Sequence, residues 1–146
     1  MNDEKLKRLG GRRVDEREFA AVEDARFSLP RSVRDALTSV SLCGATVTIL
    51  PEDDLSQLGV DMRILTPQQM RSEALDCYPG IAAISLGYIP LAMCLEGSGD
   101  PYFVDADLRV VRIPHDAVDG DSLDAERLEL VAKSLEDAIS LAVDRP

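Results

Sequence analysis

The sequence has little of what usually marks a catalytic or secreted protein. Its 146 residues include no tryptophan, one histidine, three cysteines and only 4% aromatic residues. The cysteines, Cys43, Cys77 and Cys94, are odd in number and widely spaced, and no C-x-x-C occurs. This pattern argues against a disulfide framework and against a zinc site. We therefore expect the cysteines to be small buried residues in a reducing cytoplasm.

Long apolar runs are also missing. No run approaches the roughly 18 apolar residues that would suggest a membrane span. The N-terminal residues, MNDEKLKRLGGRRVDEREF, have neither the apolar core nor the small-residue cleavage site of a secretory signal. Hydrophobic residues make up 45% and charged residues 29%, the balance of a folded globular chain. The sequence thus predicts a cytoplasmic protein without membrane contact.

Positive charge is scarce in most of the chain. Residues 1–40 hold nine Lys/Arg and eight Asp/Glu, whereas residues 41–146 hold seven Lys/Arg and nineteen Asp/Glu. The formal net charge of −11 therefore lies almost wholly in the second part. Such a body repels nucleic-acid backbones and speeds the encounter with a basic protein. The same charge also fits a role in solubility alone, and composition does not decide between the two interpretations.

Helix signals dominate the first half of the chain. Residues 1–13, with Gly10 and Gly11 as breakers, are expected to form a flexible N-terminal arm, and residues 14–146 a single domain. Helices are predicted at 14–26, at 30–40 and at 66–76, together with a short acidic helix that opens at 51–55 and stops at Gly59. Thr66 and Gln69 have the spacing of a capping box at the start of the helix at 66–76.

Strand signals dominate the second half. Strands are predicted at 45–50 and in the four runs IAAIS, YIPLAMCLE, PYFVDA and RVVRIPH. The run at 88–95 is apolar at nearly every position, which predicts a central strand covered on both faces. Apolar residues recur every three to four positions over 121–144, which predicts a long C-terminal amphipathic helix across the sheet. The expected fold class is α+β, a mainly antiparallel sheet flanked by helices.

The segment EGSGDPYF, residues 96–103, raises the question of a ligand-binding loop. A P-loop needs a lysine after its second glycine, but Asp100 stands here and would repel phosphate. A Rossmann fingerprint needs its glycines at the start of a helix, whereas Pro101 and Tyr102 continue as strand. We expect Gly97 and Gly99 to be turn positions with positive φ that link two antiparallel strands. No cofactor is predicted.

Candidate catalytic residues are few. His115 is the single histidine, and a Ser-His-Asp arrangement would have to use it. The simpler interpretation is an imidazole at a strand end bonded to backbone; a small ligand-binding enzyme using His115 and a carboxylate is the alternative. Of the acids at 100, 105 and 107, only Asp105 and Asp107 have the alternate spacing of a calcium loop, and Arg109 stands at the next such position. We therefore predict no catalytic residue and no metal site.

Several short motifs occur in a definite order along the chain. LPRSV opens a helix at 29–33, and GYIPLAMCLEGSGDPYFVDA follows at 87–106. The second segment holds an aromatic-x-Pro strand, a Gly-x-Gly-Asp turn, and Tyr102 followed by Asp105; the strand RVVRIPH comes next. Over residues 28–142 this order resembles the SUKH superfamily, which includes fungal cell-wall-synthesis regulators and bacterial toxin-immunity proteins. The resemblance implies an α+β fold used for protein–protein binding, without catalytic residues.

The resemblance and the acidity together predict a non-catalytic protein-binding module, such as an immunity protein that neutralises a basic toxin. Its partner-binding residues are expected at the ends of two neighbouring strands: Glu96, Asp100, Asp105 and Asp107. Tyr102 is either an aromatic anchor of that site or a core residue. A regulatory or scaffold protein without a toxin partner, joined as a homo-oligomer through a sheet edge, stays open as an alternative.

Overall fold

The computed structural model describes residues 2–144, in which helices cover a curled antiparallel sheet. The helices are α1 (Asp3–Arg8), α2 (Glu16–Val22), α3 (Arg31–Ser39), α4 (Pro67–Asp76), α5 (Gly80–Ile84) and α6 (Leu135–Leu141). The strands are β1 (Thr46–Ile49), β2 (Val60–Ile64), β3 (Ile89–Cys94), β4 (Tyr102–Val104), β5 (Val110–Arg112), β6 (Val118–Asp119), β7 (Ser122–Leu123) and β8 (Glu129–Ala132). The predicted α+β class is confirmed.

The main sheet has the order β1-β2-β3-β4-β5-β8, and every neighbouring pair is antiparallel. The predicted central strand is confirmed, because β3 lies inside the sheet and its first four residues are buried. The larger core cluster contains residues of every helix except α5. A smaller cluster joins Ala83 of α5 to Phe103, Val111, Ile113 and Ala117. Strands β6 and β7 form a separate hairpin.

Other parts of the chain cover both edges of the sheet. Beside β1, the amide of Thr46 donates to the carbonyl of Leu9 at 2.9 Å, and the amide of Val143 donates to the carbonyl of Thr48 at 2.8 Å. At the opposite edge, the amide of Leu55 donates to the carbonyl of Val131 in β8 at 3.1 Å. The bond from Leu55 joins the β1–β2 loop to the opposite edge of the sheet, and all three bonds occupy backbone groups that an added strand would need.

The N-terminal segment is not the flexible arm that the sequence led us to expect. Residues 3–8 form α1, whose Leu6 is fully buried, and Leu9 behind it is 6% exposed. Arg12 then makes an antiparallel bridge with Cys43. The two leucines of an otherwise charged segment account for the difference, because burying each contributes about 1.5–3 kcal/mol. Met1 lies outside the described residues.

The long C-terminal helix predicted over 121–144 is also wrong. This stretch holds β7, a 3₁₀ turn at Ala125–Arg127, the strand β8 and the short helix α6. Val131 and Ala132 are buried in the sheet. The side chain of Ser134 then accepts the amide of Asp137 at 3.0 Å, so the helix begins only there. The apolar residues over 121–144 do recur every three to four positions, but they belong to a strand and a helix and not to one helix.

Three smaller predictions also have clear outcomes. The capping box is confirmed: the hydroxyl of Thr66 accepts the amide of Gln69 at 3.3 Å, and the side chain of Gln69 accepts the amide of Thr66 at 3.0 Å. The run IAAIS forms α5 rather than a strand, and residues 51–55 form turns rather than a helix. Among residues 2–144, every helix is too short or too polar to cross a bilayer.

Candidate protein-binding site

The segment EGSGDPYF joins β3 to β4, which pair antiparallel, so the predicted hairpin is confirmed. Only Gly99 takes a positive φ, +69°; Gly97 does not, which corrects the expectation for that position. The thiol of Cys94 lies beside the turn, 3.4 Å from the amide of Glu96 and 3.5 Å from the hydroxyl of Ser98. The turn is therefore held by its own side chains.

The predicted acidic residues do not form one surface. Glu96 and Asp100 precede β4, whereas Asp105 and Asp107 follow it, in the turn to β5. At about 3.3 Å per residue, Asp100 and Asp105 are separated by roughly 16 Å along the strand. The four acids therefore lie at opposite ends of the sheet, and a single partner-binding cluster of these residues is a prediction that the geometry corrects.

Asp105 organises its own turn. Its carboxylate accepts the amide of Asp107 at 2.9 Å, the amide of Arg109 at 3.0 Å and the Nε–H of Arg109 at 2.7 Å. The hydrogen bond to Asp105 raises the pKa of Arg109. Leu108 in the same turn has a φ of +64°. Asp105 therefore has a local structural role, and Asp107 is the exposed acid at this end of the sheet.

Tyr102 is a core residue and not a surface anchor, since only 1% of it is exposed. Its hydroxyl accepts a hydrogen bond from Nη2 of Arg112 at 3.1 Å, and the guanidinium carbon of Arg112 lies 5.0 Å from the ring centroid. Burial raises the pKa of Tyr102. The ring supports Arg112 from within the protein, where no partner would reach it.

Arg112 is a buried cation that sequence reasoning missed. Besides Tyr102, its guanidinium donates to the carbonyl of Gly59 at 2.7 Å, the hydroxyl of Ser56 at 2.9 Å and the carboxylate of Glu129 at 3.3 Å. These bonds use donors on all three of its nitrogens. Burial alone would lower the pKa of Arg112, but the hydrogen bond to Tyr102 and the nearby charges raise it.

Asp54 supplies the buried counter-charge to this arginine. Its carboxylate lies 3.6 Å from Nη2 of Arg112, and its side chain is fully buried. It also accepts the amide of Ser56 at 2.8 Å and the hydroxyl of Ser56 at 2.7 Å. Because Asp54 belongs to the β1–β2 loop and Arg112 to β5, the pair fastens this loop across the end of the curled sheet.

His115 pairs with Asp100 and not with its neighbour Asp116. One carboxylate oxygen of Asp100 lies 2.7 Å from Nδ1 of His115 and also accepts the backbone amide of His115 at 3.1 Å. An aspartate on Nδ1 is the arrangement that orients a catalytic histidine. Within residues 2–144, however, no hydroxyl or thiol makes a hydrogen bond to the ring. The pair joins the β3–β4 turn to the segment that follows β5.

A cleft of about 840 Å³ opens between these loops at the end of the sheet. Its walls include Leu58 of the β1–β2 loop, Glu96 of the β3–β4 turn, and His115 and Asp116. A second groove of about 550 Å³ runs along the β6–β7 hairpin and shares Asp116 and Arg127 with the cleft. Among the described residues, no three His, Cys, Asp or Glu side chains are grouped to hold a metal ion.

The rim of the cleft and groove is strongly acidic. Residues 113–129 contain six Asp/Glu and one Lys/Arg, which is Arg127. Arg127 is already paired with Asp116 at 3.5 Å and with Asp124 at 3.6 Å. We call the following exposed side chains the acidic face: Glu96, Asp116, Asp119, Asp121, Asp124 and Glu126. Of these, Glu96 was predicted from the sequence, and the density of acids over 113–129 is the signal that would have found most of the others.

No family model matches this chain, and neither the curated proteins nor the solved structures include a significant match to it. The resemblance to the SUKH superfamily therefore stays a prediction based on the motifs at 28–142.

Proposed function

We propose that this chain is a non-catalytic binding module that captures a basic protein through its acidic face. The observation that carries the proposal is the concentration of exposed carboxylates around the cleft and hairpin, with one arginine that is already paired. A patch of one sign steers an oppositely charged partner and raises the association rate. The SUKH-like order of motifs supports the narrower proposal that the basic partner is a toxin and this chain its immunity protein.

The hydrogen bonding around the cleft supports a binding role over a catalytic one. Donors on every nitrogen of Arg112 are used within the protein. The carboxylate of Asp100 is occupied by His115, which ties two loops together. Groups engaged in this way hold a surface in shape, and a preorganised surface loses less entropy when a partner binds.

The scaffold alternative, a homo-oligomer joined through a sheet edge, has less support. Backbone groups at both edges already bond to other parts of the chain. Two copies would also bring together surfaces of the same sign, each on a chain with a net charge of −11. Both observations favour a different protein as the partner.

The enzyme alternative is favoured by one specific observation, the Asp100–His115 pair on the wall of the cleft. Replacing the imidazole separates the two roles. Because His115 ties two loops together, His115→Ala in a binding module should weaken partner capture by less than about tenfold, and in-cell function should fall only in proportion to capture. For an enzyme that uses this histidine as its base, the same change should lower function about 100-fold or more while binding persists.

The proposal is tested by affinity capture with the tagged chain expressed in its native cells. We expect one basic protein to be enriched, to be toxic when expressed alone, and to be harmless when this chain is co-expressed. Glu96→Lys/Asp119→Lys should abolish the enrichment. As a control with the same change in charge, Asp35→Lys/Asp107→Lys, on α3 and in the β4–β5 turn outside the acidic face, should retain it. Equal capture by both variants would refute the acidic face as the binding site.

A further inference from the structure

Exposed leucines are concentrated on the loop between β1 and β2. Leu50, Leu55 and Leu58 are 40%, 50% and 60% exposed, so three large apolar side chains face water within ten residues. Single exposed leucines are ordinary on protein surfaces, whereas a concentration of them marks an interaction site. We call residues 50–59 the leucine loop. It also carries two exposed acids, Glu52 and Asp53, and no basic residue.

The leucine loop is held in a defined shape. Asp54 and Ser56 bond to each other and to Arg112, and Arg112 also donates to the carbonyl of Gly59 at 2.7 Å. The amide of Leu55 is fixed to β8. A loop anchored at its middle and at its end presents its leucines at a small cost in conformational entropy, which is a property of preorganised binding surfaces.

The leucine loop adjoins the acidic face. Leu58 lines the same cleft as Glu96 and Asp116, so an apolar side chain and two acidic side chains border one concavity. On the basis of the proposed function, we infer that the leucine loop is the apolar half of the docking face. Its occupant is then a segment of a basic protein that places apolar side chains on Leu55 and Leu58, and lysines or arginines against the acidic face. Charge complementarity selects this occupant over a second copy of the chain, which would bring acids to acids.

The two halves are expected to act on different kinetic steps. Charges on the rim of an interface mainly set the association rate and its dependence on salt. Apolar contacts act at short range, so they mainly slow dissociation. Truncating the leucine side chains should therefore raise the dissociation rate constant and leave the association rate constant unchanged.

The inference is tested with two synthetic amphipathic helical peptides of equal positive charge. One carries leucines on the face opposite its lysines, and the other carries serines there. We expect the native chain to bind the leucine peptide about tenfold or more tightly than the serine peptide, by calorimetry. Leu55→Ser/Leu58→Ser should remove that preference. Leu86→Ser should leave the preference intact. Leu86 is 56% exposed and lies just before the first residue of β3, at the end of this strand opposite Glu96.

Each contrary outcome has a separate meaning. If the native chain binds both peptides equally, the leucine loop takes no part and the inference fails, while charge-driven capture stands. If neither peptide binds, the proposed function itself fails. If Leu86→Ser has the same effect as the loop variant, the apolar contact is unspecific and the inference fails. If sedimentation shows a dimer that the loop variant dissolves, the occupant is a second copy and the inference is overturned.

Discussion

Replacing Arg112 by methionine tests whether the buried ion pair holds the end of the sheet together. Met is unbranched and of similar reach, so the change removes the guanidinium and leaves an apolar chain beside Tyr102. Asp54 would keep only its two bonds to Ser56 and would lose the positive charge 3.6 Å away. We therefore expect a large loss of folding stability.

The size of this loss follows from the burial of both partners. The side chain of Asp54 is fully buried and that of Arg112 is 6% exposed. Breaking a buried ion pair on one side costs about 3–5 kcal/mol, because the remaining charge stays in the interior. The total stability of a domain is only about 5–15 kcal/mol. Arg112→Met should thus remove roughly a fifth or more of the stability of this protein.

The assay is urea unfolding of the native chain, Arg112→Met, Asp54→Asn and the double variant. Because Asp54→Asn removes the stranded charge, the double variant should be more stable than the sum of the single losses predicts, by more than about 1 kcal/mol. A loss below about 1 kcal/mol for Arg112→Met would refute this reasoning. So would strict additivity of the two changes.

Three further predictions concern single positions. A Cβ on Gly80 would overlap a backbone carbonyl oxygen of α4, so Gly80→Ala should lower the free energy of unfolding by about 2 kcal/mol or more. Gly97 has open space around it, so Gly97→Ala should lower the free energy of unfolding by less than about 0.5 kcal/mol. Burial raises the pKa of Cys43 to about 12, so a thiol reagent at neutral pH should label the other two cysteines of the folded chain and reach Cys43 only after unfolding; equal labelling of all three would contradict this. The hydrogen bond from Arg71 lowers the pKa of Asp24 from 3.8 to about 2. Its stabilisation is therefore present above pH 3.8 and lost as the pH falls towards 2, and Asp24→Asn should flatten the decline in stability over that range.

Local signals predicted the elements that depend on local chemistry. The capping box at Thr66 and Gln69 needs only residues three apart, and it forms as expected. The apolar run of β3 identified a buried central strand, because a strand covered on both faces leaves no room for alternation. By contrast, the spacing of Leu128 and Val131 fits a helix and also a strand that follows a turn. Only the pairing of β8 with β5 decides between these two structures.

Most of the site could not be predicted from the sequence, because contacts between residues far apart in the chain form it. Asp54 meets Arg112 across 58 positions, and no local pattern marks either residue as buried. Asp100 was predicted as a partner-binding acid, but its carboxylate is taken up by His115. Tyr102 was left open between anchor and core, and its 1% exposure decides for the core. The density of acidic residues along the chain therefore predicted the exposed acids better than the EGSGDPYF motif did.

Capture through the acidic face is tested most directly by the rate at which this chain associates with the basic protein that affinity capture enriches, measured at low and at physiological salt. We predict that Glu96→Lys/Asp119→Lys lowers the rate constant about tenfold or more at low salt and reduces its dependence on salt. Asp35→Lys/Asp107→Lys should leave both close to native. An association rate that the first variant leaves unchanged, or that both variants lower equally, would contradict capture through the acidic face.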